Sequence, residues 1–128
     1  MAANKEVTTS VSDSCKTSDL TRGMRAVFLW YLPTAALLVG LTLPSARVWL
    51  WIPSFLVMGI ACLANAARCG RWHCYFTGPV FLLAAAYVAV ATLRIVPMFP
   101  SVLLVVVLLL VMVAYVAEIP LGKFRSQR

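Results

Sequence analysis

Residues 101–117 read SVLLVVVLLLVMVAYVA, and this stretch decides what kind of fold the chain can form. It contains no charged residue, and a helix made from it would be apolar on every side. A helix needs about 20 residues to cross the roughly 30 Å hydrocarbon core of a bilayer. Together with the residues just before it, the stretch predicts a transmembrane helix over 99–117.

The rest of the chain has the same character. Of its 128 residues, 62% are hydrophobic and only 12% are charged, and the mean hydropathy is +0.93. An ordinary soluble domain carries roughly twice that share of charge, so the composition excludes one. Three further apolar runs are long enough, or nearly so, to span a bilayer. The four predicted spans are 26–43, 48–67, 79–96 and 99–117.

The connections between these runs are short, and short connections place consecutive helices antiparallel. The sequence therefore predicts an all-α membrane protein, an antiparallel bundle of four transmembrane helices that forms one domain over 19–120. Residues 1–18 are polar and rich in Ser and Thr, which predicts a flexible cytoplasmic tail. Residues 121–128 predict a short basic cytoplasmic tail.

Prolines give the expected irregularities and boundaries of the helices. Pro33 lies inside the first run, which predicts a kink in the first helix. Thr77-Gly78-Pro79 offers a capping hydroxyl followed by a proline in a first turn, which predicts that the third helix begins at Pro79. Pro120 is expected to follow the last helix.

Basic residues predict how the bundle is oriented. The side opposite the termini holds only Arg47 and Arg94, so both termini and the turn between helices two and three are expected in the cytoplasm. The net charge of +7 then indicates how the protein is oriented in the membrane, which is expected to be the inner (plasma) membrane. Nucleic acid is not expected as a partner, because the charges adjoin helix ends without interleaved aromatic residues. The basic residues on the terminal side are Lys5, Lys16, Arg22, Arg25, Arg68, Arg71, Lys123, Arg125 and Arg128.

The turn between helices two and three, RCGRWHCYFTGP at residues 68–79, holds two cysteines and the only histidine of the chain. Cys69 and Cys74 are predicted to flank this turn at the edge of the solvent, with His73 beside Cys74. Because the cytosol is reducing, a permanent disulfide is disfavoured there. Free thiols, metal ligands and transient redox partners all remain open as interpretations of the pair.

A stripe of soft ligands leads to this turn along helix two. Met58, Cys62, Asn65 and Cys69 fall on one helical face, because each residue of a helix turns by about 100°. Thiolates, thioethers and imidazoles are ligands of soft metal ions. The predicted metal ligands are therefore Cys62, Cys69, His73 and Cys74.

Other readings of these residues stay open. Glu118 is expected to orient the His73 imidazole or to balance the charge of the ion. Cysteine also behaves as a small buried hydrophobe, so Cys62 is also interpretable as a residue that lets two helices pack closely.

An intramembrane cysteine followed by an in-facing cysteine pair, here Cys62, Cys69 and Cys74, resembles the small mercuric-ion transport proteins of bacterial mercury-resistance operons. The resemblance covers helices two and three. It implies uptake of Hg(II), which passes between cysteines to an acceptor in the cytosol. Those proteins generally carry a cysteine pair in their first span, and the first span of this chain contains no cysteine.

Two further classes of function compete with the handling of a soft metal ion. Cys69 and Cys74 are interpretable as a redox pair, which resembles membrane thiol oxidoreductases that use quinone. The uniformly apolar fourth helix suits an accessory subunit that packs against a larger membrane protein. No Asp, Glu or Lys lies within a span and no Ser–His–acid arrangement is recognisable, so an enzyme is not expected. The expected partners are the lipid bilayer, a membrane protein or second copy, and a cytosolic metal acceptor; no cofactor is expected beyond the metal ion as transported species.

Overall fold

The computed structural model describes residues 23–121, and its regular elements are all helices. The predicted tail 1–18, Cys15 and residues 122–128 lie outside the described residues. Each described helix is long enough and apolar enough to cross a membrane, so the chain is a multi-pass membrane protein. The helices are α1 (Met24–Thr42), α2 (Arg47–Cys69), α3 (Trp72–Thr92) and α4 (Pro100–Leu121).

The third helix begins earlier than the sequence predicted, at Trp72 rather than at Pro79. Gly70 adopts a left-handed conformation with φ 62°, and its N–H donates to Ala66 O at 2.8 Å, which ends α2. Only Gly70 and Arg71 separate the two helices. The predicted solvent-edge turn is therefore wrong, because most of RCGRWHCYFTGP belongs to α3.

The predicted cap at Thr77 is wrong for the same reason. The Thr77 hydroxyl donates to His73 O at 2.9 Å, one turn back within α3, instead of capping the helix. Pro79 lies inside α3, where it has no N–H to donate to the preceding turn. A bundle in a membrane tolerates such a proline where neighbouring groups compensate. Pro120 likewise lies inside α4 instead of following it.

In α1 the irregularity expected at Pro33 appears in the turn before it. Val27–Tyr31 form a π-helical turn, after which the Leu32 N–H donates to Val27 O. Pro33 has no N–H to offer the preceding turn. The hydroxyl of Thr34 donates to Trp30 O at 2.6 Å and satisfies one carbonyl of this segment.

The centre of the molecule lies between α2 and α3, with α1 packed on α2 and α4 packed on α3. Trp51, Phe55 and Val88 are fully buried there. The two central helices approach closely at Gly59 and Gly78: a Cβ at Gly59 would lie only 3.2 Å from the carbonyl oxygen of Gly78. Small residues at such a crossing let two backbones come together in a membrane.

The connection between α1 and α2 is fixed by side chains of α2 that bind the end of α1. The Trp51 indole N–H donates to Leu37 O at 2.9 Å, and Arg47 Nε donates to Gly40 O at 2.9 Å. Gly40 O is one of the last four carbonyls of α1, which have no amide partner within the helix, so the Arg47 donor stabilises the end of α1. The bond from Trp51 to Leu37 O joins the turn before it to α2. The Arg47 guanidinium also lies 5.6 Å from the centre of the Trp51 ring, within the range of a cation–π contact.

Candidate functional site

Three helices bring a group of polar and sulfur-bearing side chains together inside the bundle. The group is called the thiol–imidazole site below and is defined by Cys62, His73, Cys74 and Glu118. Asn65, Thr77 and Tyr115 surround it. On each helix the contributing residues are spaced three or four apart or are adjacent, which places them on one face. The helices that supply them are α2 for Cys62 and Asn65, α3 for His73, Cys74 and Thr77, and α4 for Tyr115 and Glu118.

His73 connects a carboxylate to a thiol. Its Nδ1 lies 2.8 Å from Glu118 Oε2, and its Nε2 lies 3.3 Å from Cys74 Sγ. A carboxylate only accepts, so with Glu118 ionised Nδ1 carries the proton and donates it. Nε2 then accepts from the Cys74 thiol. This Glu–His–Cys chain is the arrangement in which an imidazole can take the proton of a thiol.

The second thiol of the site is Cys62. The Thr77 hydroxyl donates to Cys62 Sγ at 3.4 Å, and the Cys62 and Cys74 side chains are in hydrogen-bond contact with each other. The Asn65 amide donates to Cys74 Sγ at 3.8 Å. Both sulfur atoms thus receive hydrogen bonds from neighbouring side chains.

The thiols and the imidazole of the site are closed to water. Cys74 and Asn65 are 0% exposed, Cys62 is 1% exposed and His73 is 2% exposed. The Tyr115 ring stacks on the imidazole with a centroid distance of 4.4 Å. Glu118 is only partly buried, and its Oε1 is buried without a hydrogen-bond partner among the described residues, so this atom can accept a further donor. A polar group enclosed in this way is held in one arrangement, because breaking its hydrogen bonds would leave it unsatisfied.

The structure treats the four predicted metal ligands differently. It brings Cys62, His73 and Cys74 together, whereas Cys69 is half-buried at the last residue of α2. His73 and Cys74 are buried and do not lie at the edge of the solvent, which corrects the prediction. The expected orientation of His73 by Glu118 is confirmed.

Within residues 23–121, no group of three or more His, Cys, Asp and Glu side chains is arranged so that it could hold a metal ion. Metal binding by the predicted set of four, as one cage, therefore has no support. The contact that the structure does provide is between the two sulfur atoms of Cys62 and Cys74.

Sequence reasoning missed Thr77 and Tyr115 as parts of the site, and it misplaced Cys74. The sequence did contain a pattern that predicts the early start of α3. Small or apolar residues recur there at the helical period, and the structure buries all of them: 74, 77, 78, 81, 84, 85 and 88. Gly70 was the matching signal for the end of α2. No pattern along the sequence pairs Tyr115 with His73, because the two rings belong to different helices.

The fold and the site define a class: a small multi-pass helical membrane protein with a buried thiol–imidazole site. No family model, curated protein or solved structure matches the chain.

Proposed function

We propose that this protein handles soft metal ions, such as Hg(II) or Cu(I), by binding them between Cys62 and Cys74 within the membrane. The observation that carries the proposal is the contact of the two thiols, one of which is hydrogen-bonded through His73 to Glu118. Soft ions prefer sulfur ligands, and ions of this kind form stable linear complexes with two thiolates alone. A pair of sulfurs is thus sufficient, and no third ligand is required.

The hydrogen-bond chain supplies what such binding needs. A thiol must lose its proton to bind a metal ion, so binding releases protons. His73 Nε2, at 3.3 Å from Cys74 Sγ, is placed to accept that proton, and Glu118 at 2.8 Å stabilises the imidazolium that results. Thr77 donates to Cys62 Sγ and Asn65 donates to Cys74 Sγ, so each sulfur atom has a donor beside it.

We place the site near the cytoplasmic surface of an inner (plasma) membrane, in an antiparallel bundle with both termini inside. Contacts between α2 and α3 support the antiparallel arrangement, because they pair rising numbers in one helix with falling numbers in the other: Gly59 with Gly78, Cys62 with Thr77, and Asn65 with Cys74. The nine-to-two split of the basic residues supports the orientation.

Cys69 has a separate role in this proposal. It ends α2, seven residues beyond Cys62 (69 − 62), or about 10 Å further along the helix. It is half-buried, whereas the thiol pair is closed to water. The ion passes from the pair to Cys69 by exchange of sulfur ligands and then to a thiol of an acceptor in the cytosol.

The test is metal retention by reduced protein in detergent, with glutathione as competitor. The variant Cys15→Ser/Cys69→Ser keeps only the thiol pair, and we expect it to hold about one Hg(II) per chain against a large excess of the monothiol, because two preorganised sulfurs bind together. Adding Cys62→Ser or Cys74→Ser should abolish this retention. Equal retention by the pair and by either single-thiol variant would refute the proposal.

A second candidate is thiol–disulfide chemistry, favoured by the same contact between Cys62 and Cys74. The pair would lose two protons and two electrons to a quinone, which becomes the quinol, and would form a disulfide. This moves the redox pair predicted from the sequence, Cys69 with Cys74, to Cys62 with Cys74. Mass spectrometry of quinone-treated protein tests it: a Cys62–Cys74 disulfide supports it, and fully reduced thiols refute it.

A further inference from the structure

The last turns of α4 cover the thiol–imidazole site. The Tyr115 ring stacks on the His73 ring with a centroid distance of 4.4 Å, and Glu118 Oε2 lies 2.8 Å from His73 Nδ1. Tyr115 and Glu118 are one turn apart, so they lie on one face of α4. Tyr115 is 46% exposed, whereas His73 behind it is 2% exposed and Cys74 is 0% exposed. The Cys74 thiol can therefore meet a ligand only after part of this enclosure moves.

The helices on the other sides of the site are joined to one another by close contacts. α2 and α3 approach so closely that a Cβ at Gly59 would lie 3.2 Å from Gly78 O. α1 is tied to α2 by the buried Trp51 indole, which donates to Leu37 O at 2.9 Å. Separating either pair would break close packing or leave buried polar groups without partners, and both are costly. We therefore take α1, α2 and α3 as the fixed part of the molecule.

The helix α4 is held by fewer buried groups. It is the least buried of the four described helices, and of its side chains whose burial is described only Val107 and Ala114 are buried. It packs mainly on α3. A cleft of about 280 Å³, lined by Leu38 of α1 and Leu108 of α4, separates its middle from α1. Segments with few buried contacts are the ones that open at the lowest free energy in a folded protein.

We propose that α4 is the gate of the thiol–imidazole site and that the hydrogen bond between Glu118 and His73 is the latch of this gate. In the closed state Glu118 binds His73 Nδ1 and Tyr115 covers the ring. In the open state the end of α4 that carries both residues moves away from α3. The His73 imidazole is then exposed, and with it the Cys74 thiol, which lies 3.3 Å from Nε2.

The gate goes beyond the proposed function, because binding of a metal ion and formation of a disulfide with a quinone both require access to buried thiols. Opening exchanges the bond of Glu118 with His73 for bonds to water. Glu118 is already partly exposed near the end of its helix, so this exchange costs much less than the loss of a hydrogen bond in the centre of the bundle. The closed state is thus stable but can open reversibly.

The first test measures the position of α4 by electron paramagnetic resonance distances. Nitroxide labels on Ile119→Cys and Ala67→Cys, both exposed positions, report the distance from α4 to α2 in a chain whose four natural cysteines are replaced by serine. We expect a main and a minor distance in the parent, and Glu118→Ala should raise the ratio of minor to main about tenfold or more, because a hydrogen bond to a charged group is lost. Labels on Met24→Cys and Ala67→Cys are the matched control for the fixed part, and their distance should not change.

The second test measures the exposure of the thiol by its rate of alkylation with N-ethylmaleimide. The background Cys15→Ser/Cys62→Ser/Cys69→Ser keeps Cys74 as the single thiol. If Glu118 is the latch, Glu118→Ala raises this rate about tenfold or more. If Glu118 only supports the base, the same change lowers the rate, because less of the thiol is ionised. The sign of the effect therefore separates the two roles.

Tyr115→Ala removes the cover and leaves the charges of the site in place, so it should also accelerate alkylation. Tyr31→Ala is the matched control, since Tyr31 is 71% exposed on α1, and it should leave the rate unchanged.

A slower or unchanged rate in Glu118→Ala, or a distance from α4 to α2 that does not respond to this change, would overturn the gate. A shift of the control distance from α1 to α2 as well would show that the variant loosens the whole bundle, which would also overturn a gate confined to α4. These results do not depend on retention of Hg(II) by the thiol pair, so the gate and the proposed function can fail separately.

Discussion

The His73 ring is held at both nitrogens and on one face. Glu118 binds Nδ1, Cys74 binds Nε2, and the Tyr115 ring stacks on the imidazole. The ring therefore cannot rotate without losing hydrogen bonds in a region closed to water, where each lost bond is expensive. The position of the base is fixed before any ligand arrives, so the proposed binding of a metal ion would need little rearrangement.

Glu118→Gln tests this role of the carboxylate. The amide keeps the shape of the side chain but cannot stabilise an imidazolium, so we expect Hg(II) retention by the Cys62–Cys74 pair to fall by about 10- to 100-fold. Competition with glutathione measures the effect. Asp19→Asn, outside the described residues, removes the same charge and should change nothing. An equal loss in both variants would show that only net charge matters.

Among the elements, α2 and α3 decide whether the site exists. Their approach at Gly59 and Gly78 is what lets Cys62 reach Cys74, about one turn away on each helix. A Cβ at Gly59 would lie 2.9 Å from Leu82 Cδ2 and 3.2 Å from Gly78 O. The first contact can relax because a side chain can move, but the second involves backbone.

Gly59→Leu should therefore separate the two helices. We expect destabilisation of about 1–3 kcal/mol, as for other overpacked interiors, together with weaker cross-linking of Cys62 to Cys74 by short bifunctional thiol reagents. Ala67→Leu is the control, because Ala67 is exposed on the same helix. Undiminished cross-linking in Gly59→Leu would mean that the close crossing is not needed for the thiol contact.

The contact of α1 with α2 depends on Trp51. Trp51→Phe keeps an aromatic ring in the buried position but removes the donor to Leu37 O, so we expect the free energy of unfolding to fall by about 0.5–1.5 kcal/mol. Thermal denaturation in one detergent measures it. Trp49 is 83% exposed on the same helix, and Trp49→Phe should have no effect. Equal melting temperatures for both variants would contradict the role of this hydrogen bond.

At the scale of the whole molecule, the outer surface of the helices is apolar and suited to contact with lipid. On α4 alone, Val105, Leu109 and Val113 are 55%, 59% and 64% exposed. An apolar surface of this extent would cause aggregation in water. The interior is correspondingly small, and its polar groups are concentrated in the thiol–imidazole site between α2, α3 and α4.

The orientation of the whole molecule is testable with reporters at both ends. The positive-inside rule predicts that an N-terminal and a C-terminal tag are each protected from protease in intact spheroplasts and digested only after lysis. The connection around Pro97 should be reached from outside, by a hydrophilic maleimide on Pro97→Cys in a chain without its other cysteines. Digestion of either tag in intact spheroplasts would reverse the topology and place the site at the outer surface.

The sequence by itself determined that the helices of this protein lie in a lipid bilayer and that there are four of them among the described residues. Hydropathy is a sum over neighbouring residues, so the spans ending near Thr42 and beginning near Arg47 and Pro100 were predicted within a few residues. The contact of Glu118 with His73 was also predictable, because Glu118 is the one acidic residue near the membrane-spanning runs and His73 is the one histidine of the chain.

Only the tertiary structure decided which sulfur atoms meet. The sequence paired Cys69 with Cys74 because they are close along the chain, whereas the folded protein pairs Cys62 with Cys74. The difference arises because α3 begins at Trp72, so that Cys74 belongs to a helix and not to a turn. Successive side chains of a helix are rotated by about 100°, and α2 and α3 cross at Gly59 and Gly78. Together these two features determine which side chains of α2 and α3 face each other. Contacts between helices depend on this geometry, which no local pattern of residues records.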